Sequence, residues 1–217
     1  MSKIAVTEQL WRYPVKSLKR ESLKVAPVER DGIRGDRAAA VFVRAGHPRR
    51  EKTYRGKEHH LLHTLESVEA AQGVARKNGV DLEMRTGMRY FDAAPISIVI
   101  DTWLREAESI AERELDPQRF RPNIFARAEP GFDLPESRLV GKVLRIGPVL
   151  LRVLKSIERC VTITYDVHSG NQDGNVLRSL ALKRNNTLGI YCEVVRPGRL
   201  KLGDSLSIDG LLSWEND

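Results

Sequence analysis

The stretch Leu139-Val140-Gly141-Lys142-Val143-Leu144-Arg145-Ile146-Gly147-Pro148-Val149-Leu150-Leu151-Arg152-Val153-Leu154 decides the fold class. Two apolar runs flank a Gly-Pro turn, so the segment reads as strand, turn, strand over 139–146 and 149–154. The same texture surrounds it. Strands are expected at 124–128, 160–165, 188–195 and 205–208, with a further glycine-bearing turn at Arg196-Pro197-Gly198. Short strands at this spacing predict a barrel.

Upstream, 4–12 alternates as a strand until Pro14 breaks the ladder in Tyr13-Pro14-Val15-Lys16-Ser17. Segments 22–28 and 38–43 read as strands around the turn-rich Arg30-Asp31-Gly32-Ile33-Arg34-Gly35-Asp36-Arg37, and the polar, basic 46–60 reads as a long loop. Leu61, Leu62, Leu65, Val68, Ala71 and Ala75 recur at helical spacing, and Asn78-Gly79 supplies a left-handed stop. Segment 96–100 is a strand. A helix is expected over 103–115, capped by Asp101 or Thr102 and ended by Asp116-Pro117. There is no βαβαβ alternation, GxGxxG fingerprint, P-loop or solenoid repeat. The class is mainly β with a few helices.

A length of 217 residues suits one large domain or two small joined ones. With 41% hydrophobic and 30% charged residues the composition is that of a soluble globular protein. No apolar run approaches membrane-spanning length and residues 1–6 lack a secretory apolar core, so no membrane partner and a cytoplasmic address are expected. The net charge of +7, from 36 Lys+Arg against 29 Asp+Glu, favours an acidic partner. Aromatic content of 6% and the absence of a nucleic-acid motif point to an anionic small molecule ahead of DNA or RNA.

Two cysteines in unlike contexts do not make a disulfide framework. Cys192 alternates with Ile190 and Val194 and reads as core. Cys160 follows Arg159 and, on the expected 160–165 strand, shares a polar face with Thr162 and Thr164. A neighbouring cation favours thiolate, which is a nucleophile and a soft-metal ligand. Lys16, Ser17, Arg37 and Arg121 each follow a constrained turn at an expected strand edge, where arginine can bind phosphate bidentately, lysine as a point charge and serine as a neutral donor. His59, His60 and His63 lack the HExxH spacing and read as the surface where a helix begins. Asp166 and His168 raise a thiol–histidine pairing with Cys160, but His168 lies in a loop that nothing in the sequence fixes near the thiol.

Taken in order, these segments resemble the MOSC family, named after the C-terminal domain of molybdenum-cofactor sulfurase. The residues that carry the resemblance are Arg12-Tyr13-Pro14-Val15-Lys16-Ser17-Leu18, Gly32-Ile33-Arg34-Gly35-Asp36-Arg37, Phe91-Asp92-Ala93-Ala94-Pro95 and Arg119-Phe120-Arg121-Pro122-Asn123-Ile124. They continue through Glu158-Arg159-Cys160-Val161-Thr162, Asn175-Val176-Leu177-Arg178-Ser179-Leu180 and Leu188-Gly189-Ile190-Tyr191 to Gly198 and Gly203-Asp204. The resemblance implies a pyruvate-kinase-type β-barrel with an N-terminal β-rich region packed on it. It divides the chain into that region at 1–60, a connecting helix at 61–84 and the MOSC domain at 85–212.

The resemblance is to the amidoxime-reducing branch. It implies a molybdenum–molybdopterin cofactor, Cys160 as the catalytic residue and thiolate on the metal, and Lys16, Ser17, Arg37, Asp92 and Arg121 as cofactor contacts. It further implies reduction of N-hydroxylated or related N- or S-oxide small molecules. No cysteine-rich iron–sulfur module, haem motif, flavin or nicotinamide fingerprint is present in the sequence, so electrons are expected from a separate reductase or ferredoxin-like protein. The chain departs from that branch at Glu158, at Ala93 and across Lys52-Thr53-Tyr54-Arg55-Gly56-Lys57. Two other readings stand beside this one: a cofactor or persulfide carrier without turnover, and a basic nucleic-acid-binding module.

Overall fold

Residues 2–209 are described by the computed structural model; 210–212, the expected end of the third unit, lie outside the described residues. The strands are β1 (Ser2–Arg12), β2 (Glu21–Leu23), β3 (Val25–Glu29), β4 (Gly32–Ile33), β5 (Ala40–Ala45), β6 (Asp81–Arg85) and β7 (Ile96–Ile100). They continue with β8 (Ile124–Ala128), β9 (Val143–Ile146), β10 (Val149–Glu158), β11 (Thr187–Arg196), β12 (Gly198–Lys201) and β13 (Ser205–Ile208). The α-helices are α1 (Val68–Lys77), α2 (Asp101–Ala111) and α3 (Gly174–Lys183).

Seven strands close a barrel in the order β13-β9-β10-β11-β7-β8-β1, with β13 pairing back onto β1. Closure removes the free edges that an open sheet would present. The N-terminal region contributes twice: β1 is a stave of the barrel, while β3, β4 and β5 join β12 and β6 in the small β12-β3-β4 and β5-β6 sheets outside it. Alternation fills the interior, which includes Ile96, Ile98, Leu144, Ile146, Leu151, Val153, Ile190 and Cys192. β7 is apolar at every position except Ser97 because it is covered on both faces. Val99 joins a second core with Leu104, Ala107, Val176 and Leu180 of α2 and α3. A third core packs α1 on the paired β5 and β6 strands through Ala71, Ala75, Val41, Val43 and Leu82.

Local chemistry redraws several elements. The helical periodicity over 61–75 is broken into a 3-10 turn (His60–Thr64) and α1, because Ser67 accepts the Ala70 N–H and starts a new helix. Together with β6, these pieces occupy the segment expected as one connecting helix. α2 begins earlier than expected, and the Asp101 carboxylate accepts the Ala128 N–H instead of capping its own helix. α3 was not anticipated; Asp173 caps it by accepting the Asn175 N–H.

The expected strand over 160–165 is instead a 3-10 turn, Val161–Thr164, with Cys160 at its N-terminal cap. Its apolar–polar alternation is real, but β10 loses its partner at Glu158↔Thr187, the last pair of the β10–β11 ladder. Without a strand to pair with, the Thr164 hydroxyl turns back to the Val161 carbonyl at 2.7 Å. The long, irregular β10–β11 ladder carries Arg159 and Cys160 beyond the barrel wall.

One buried ion pair ties α3 to this wall. Arg184 donates to both Glu136 oxygens at 2.9 and 2.8 Å, and Glu136 also accepts the Gly189 N–H at 3.0 Å. Removing Glu136 leaves Arg184 with only the exposed Glu106 at 3.2 Å and leaves the Gly189 N–H without its acceptor. Glu136→Ala is therefore expected to lose about 1–3 kcal/mol in urea unfolding; a loss below about 0.5 kcal/mol would contradict this role.

Candidate functional site

A cavity of about 400 Å³ opens where the β10–β11 end meets the loops after β1, β4 and α2. Lys16, Ser17, Arg37, Asp92, Arg121 and Cys160, distant in sequence, all line it. His63, Arg159 and Tyr191, to which the sequence reading gave no binding role, line it too.

Backbone hydrogen bonds explain how the basic loops meet. The Arg37 N–H donates to the Tyr13 carbonyl, Ala39 to Pro14, and Lys16 to Ala39 at 2.8 Å. The Tyr13 N–H donates to the Asp36 carboxylate at 2.7 Å. Residues 13–16 and 36–39 are thereby zipped together, placing Lys16 and Ser17 beside Arg37. Lys16 is paired with Asp92 at 2.5 Å, and Arg37 with Asp36 at 2.5 Å.

Three of these lining residues adopt left-handed backbone: Ser17 (φ 71°), Arg37 (φ 46°) and Arg121 (φ 52°). This region disfavours a residue with a side chain. The conformation persists because neighbouring bonds over-determine it. Arg121 donates to the Leu18 carbonyl at 2.9 Å, and the His63 Nδ1 lies 2.8 Å from the Ser17 carbonyl. The same Nδ1 lies 3.1 Å from the Arg121 guanidinium, so it faces one acceptor and one donor.

Charge distinguishes the arginines. Among the described residues, Arg121 and Arg159 have no carboxylate within 4.0 Å, unlike Arg37. Burial lowers each to about 10, so both stay charged at neutral pH. Arg159 is held by the Leu188 carbonyl (2.8 Å) and the Phe120 carbonyl (2.9 Å), with its guanidinium 5.3 Å from the Phe120 ring centroid. Gly189 (φ 86°) makes room for it: a Cβ there would sit 3.1 Å from the guanidinium and 2.8 Å from the Ile98 carbonyl oxygen. Two uncompensated cations on one wall create a site that favours an anion.

Cys160 is exposed and Cys192 buried, the latter as its alternation with Ile190 and Val194 suggested. Burial pushes the Cys192 thiol far up, which leaves it inert. His168 makes its contact with Asp116 at 3.1 Å and does not line the cavity, so no thiol–histidine pair forms with Cys160. Among the described residues no cluster of three or more His, Cys, Asp or Glu could hold a metal ion by itself. The signal for Arg159 was available in its place beside Cys160. His63 gave none, because its partners lie 46 and 58 residues away.

This barrel with a cysteine at the end of a long ladder and basic loops facing it defines a class. The MOSC domain profile matches residues 85–207, more than half of the chain, and the chain belongs to the MOSC family. That family is associated with molybdenum-cofactor binding. The chain is 28% identical over 143 residues to mitochondrial amidoxime reducing component 2 from Macaca fascicularis and from Homo sapiens, covering 60% of this chain and 42% of those proteins. It thus spans less than half the length of these curated relatives. The crystal structure of the YUAD protein from Bacillus subtilis superposes with a TM-score of 0.58 at 17% identity, over 94% of both chains, and supports the fold alone.

His63 gives a pH test of the site. Its imidazole is lowered from 6.5 to about 3, first by burial and then by the Arg121 charge, with the Ser17 carbonyl opposing. Between these values the unfolded chain binds a proton that the folded chain refuses, so stability falls as pH drops through 6.5. From pH 7 to 5 the wild type should lose on the order of 1–2 kcal/mol more than His63→Gln in denaturant titrations. Equal losses would show that His63 is not held neutral.

Proposed function

We propose that this MOSC protein holds a molybdenum–molybdopterin cofactor in the cavity and reduces N-hydroxylated or related N- or S-oxide small molecules. The observation that carries the reading is the pairing, on one cavity, of an exposed thiol with two guanidinium groups lacking carboxylate partners. This donor set fits the group. A soft thiolate suits a thiophilic metal, and guanidinium groups without carboxylate partners suit phosphate. In the proposal Cys160 holds the metal, and Lys16, Ser17, Arg37 and Arg121 hold the phosphate and pterin, with Asp92 orienting Lys16. Molybdenum, when bound, supplies two-electron redox chemistry.

The chain's own part is binding and electrostatics. Arg121 and Arg159 offset the negative charge of the ligand. Reducing an N-hydroxyl group to N–H takes up two electrons and two protons and releases water. The electrons come from a separate reductase or ferredoxin-like protein in this reading. The 28% identity to the amidoxime reducing components supports the substrate class. No helix among the described residues is long and apolar enough to cross a membrane, and a cytoplasmic setting belongs to the same proposal. So does the division of the chain at 60 and 84.

Metal analysis with fluorescent pterin detection, on protein from a cofactor-making host, tests this. Wild type is expected to carry both, Cys160→Ser to lose most of the molybdenum, and Arg121→Ala to lose pterin. Equal molybdenum in wild type and Cys160→Ser would refute the thiolate assignment. A Cys160 persulfide without metal would favour the carrier reading.

A further inference from the structure

Tyr13 lies beneath the basic wall of the cavity. It is 1% exposed, its hydroxyl donates to the Pro122 carbonyl at 3.1 Å, and its own N–H is held by Asp36. Two cations crowd its ring: the Arg121 guanidinium carbon stands 4.2 Å from the ring centroid and that of Arg37 stands 4.7 Å. Both distances are within cation–π range, and desolvation strengthens such contacts.

We propose that Tyr13 is a positioning residue whose ring holds the Arg37 and Arg121 guanidinium groups together as one cradle for an anionic ligand. The inference rests on the anion-binding part of the proposed function. Like charges repel, and Arg37 is one of the groups that lowers Arg121. Asp36 neutralises Arg37, but among the described residues Arg121 has no carboxylate partner within 4.0 Å. The electron-rich ring compensates both without taking any N–H; Asp36 and the Arg121 carbonyl bond part of the Arg37 edge, and the Leu18 carbonyl bonds part of the Arg121 edge, which leaves the rest of those edges to a phosphate. A carboxylate in the same place would take those edges for itself. The phenol stays neutral, since burial raises it to about 12 despite the adjacent arginines. The chain holds the ring from two sides: Asp36 grips its backbone, and Pro122 receives its hydroxyl next to Arg121. The ring thus links the loop carrying Arg37 to the loop carrying Arg121.

Replacing the ring electronically, at constant shape, separates positioning from packing. Tyr13→Phe and a graded series of fluorinated phenylalanines at position 13, ending with pentafluorophenylalanine, progressively remove and then invert the ring's negative face. Pyrophosphate binding is measured by calorimetry on the full chain, with circular dichroism to check folding. The wild type and Tyr13→Phe should bind within about two-fold of each other. Affinity should then fall stepwise along the series, reaching about 5–20-fold at pentafluorophenylalanine. The partly fluorinated variants carry the test should the last one fail to fold. Equal affinity across the folded series would overturn the role of Tyr13 and leave the anion site intact. No pyrophosphate binding by any protein, wild type included, would overturn the anion site and the role of Tyr13 with it.

Discussion

Arg121 and Arg159 face the same cavity with no carboxylate within 4.0 Å among the described residues, and the rest of the site is arranged around that constraint. Removing a charge from water without a counter-ion costs several kcal/mol. The chain offsets part of this with carbonyl oxygens of Leu18, Leu188 and Phe120 and with the rings of Tyr13 and Phe120. None of these groups cancels the charge. Arg37 shows the alternative, since Asp36 neutralises it. The positive potential therefore persists at the wall where the Cys160 thiol emerges, which is the basis of the proposed anion site.

The barrel makes this arrangement tolerable. The closed ring and its apolar interior fix the end of β10, from which Arg159 and Cys160 extend. The β1–β8 and β7–β8 ladders fix the segment leading from Arg121. Left-handed backbone at Ser17, Arg37 and Arg121 concentrates local strain at three cavity-lining positions. Each is trapped by bonds to another segment. His63 is part of this trap: it takes up the Ser17 carbonyl, and neutrality lets it sit beside Arg121. Strain and unpaired charge thus fall in the same place, as expected where a site is preorganised rather than merely stable.

The barrel was legible because its strands announce themselves: 124–128, 96–100 and 205–208 occupy the expected residues. The inert role of Cys192 was legible for the same reason, from its alternation with Ile190 and Val194. Cys160 was singled out, but its local structure was misread. The pattern at 160–165 has strand periodicity, and only the end of the partner strand at Thr187 decides that it turns. α3 was hidden because its start depends on one Asp173 cap in a polar loop. The gathering of Lys16, Ser17, Arg37 and Arg121 was suggested by family resemblance; backbone pairing between 13–16 and 36–39 explains the first three, and Arg121 joins them through its bond to the Leu18 carbonyl. No sequence periodicity encodes such pairing. The contacts of His63 and Tyr13 depend on loops far apart in the chain and could be recognised only in three dimensions.

The central claim is that the Cys160 sulfur, beside these unpaired guanidinium groups, is a ligand of molybdenum. X-ray absorption at the molybdenum edge, on protein loaded in a cofactor-making host, counts sulfur neighbours directly. The account predicts that Cys160→Ser, in whatever fraction retains metal, shows one sulfur neighbour fewer than wild type. An unchanged sulfur count would contradict it and remove Cys160 from the metal.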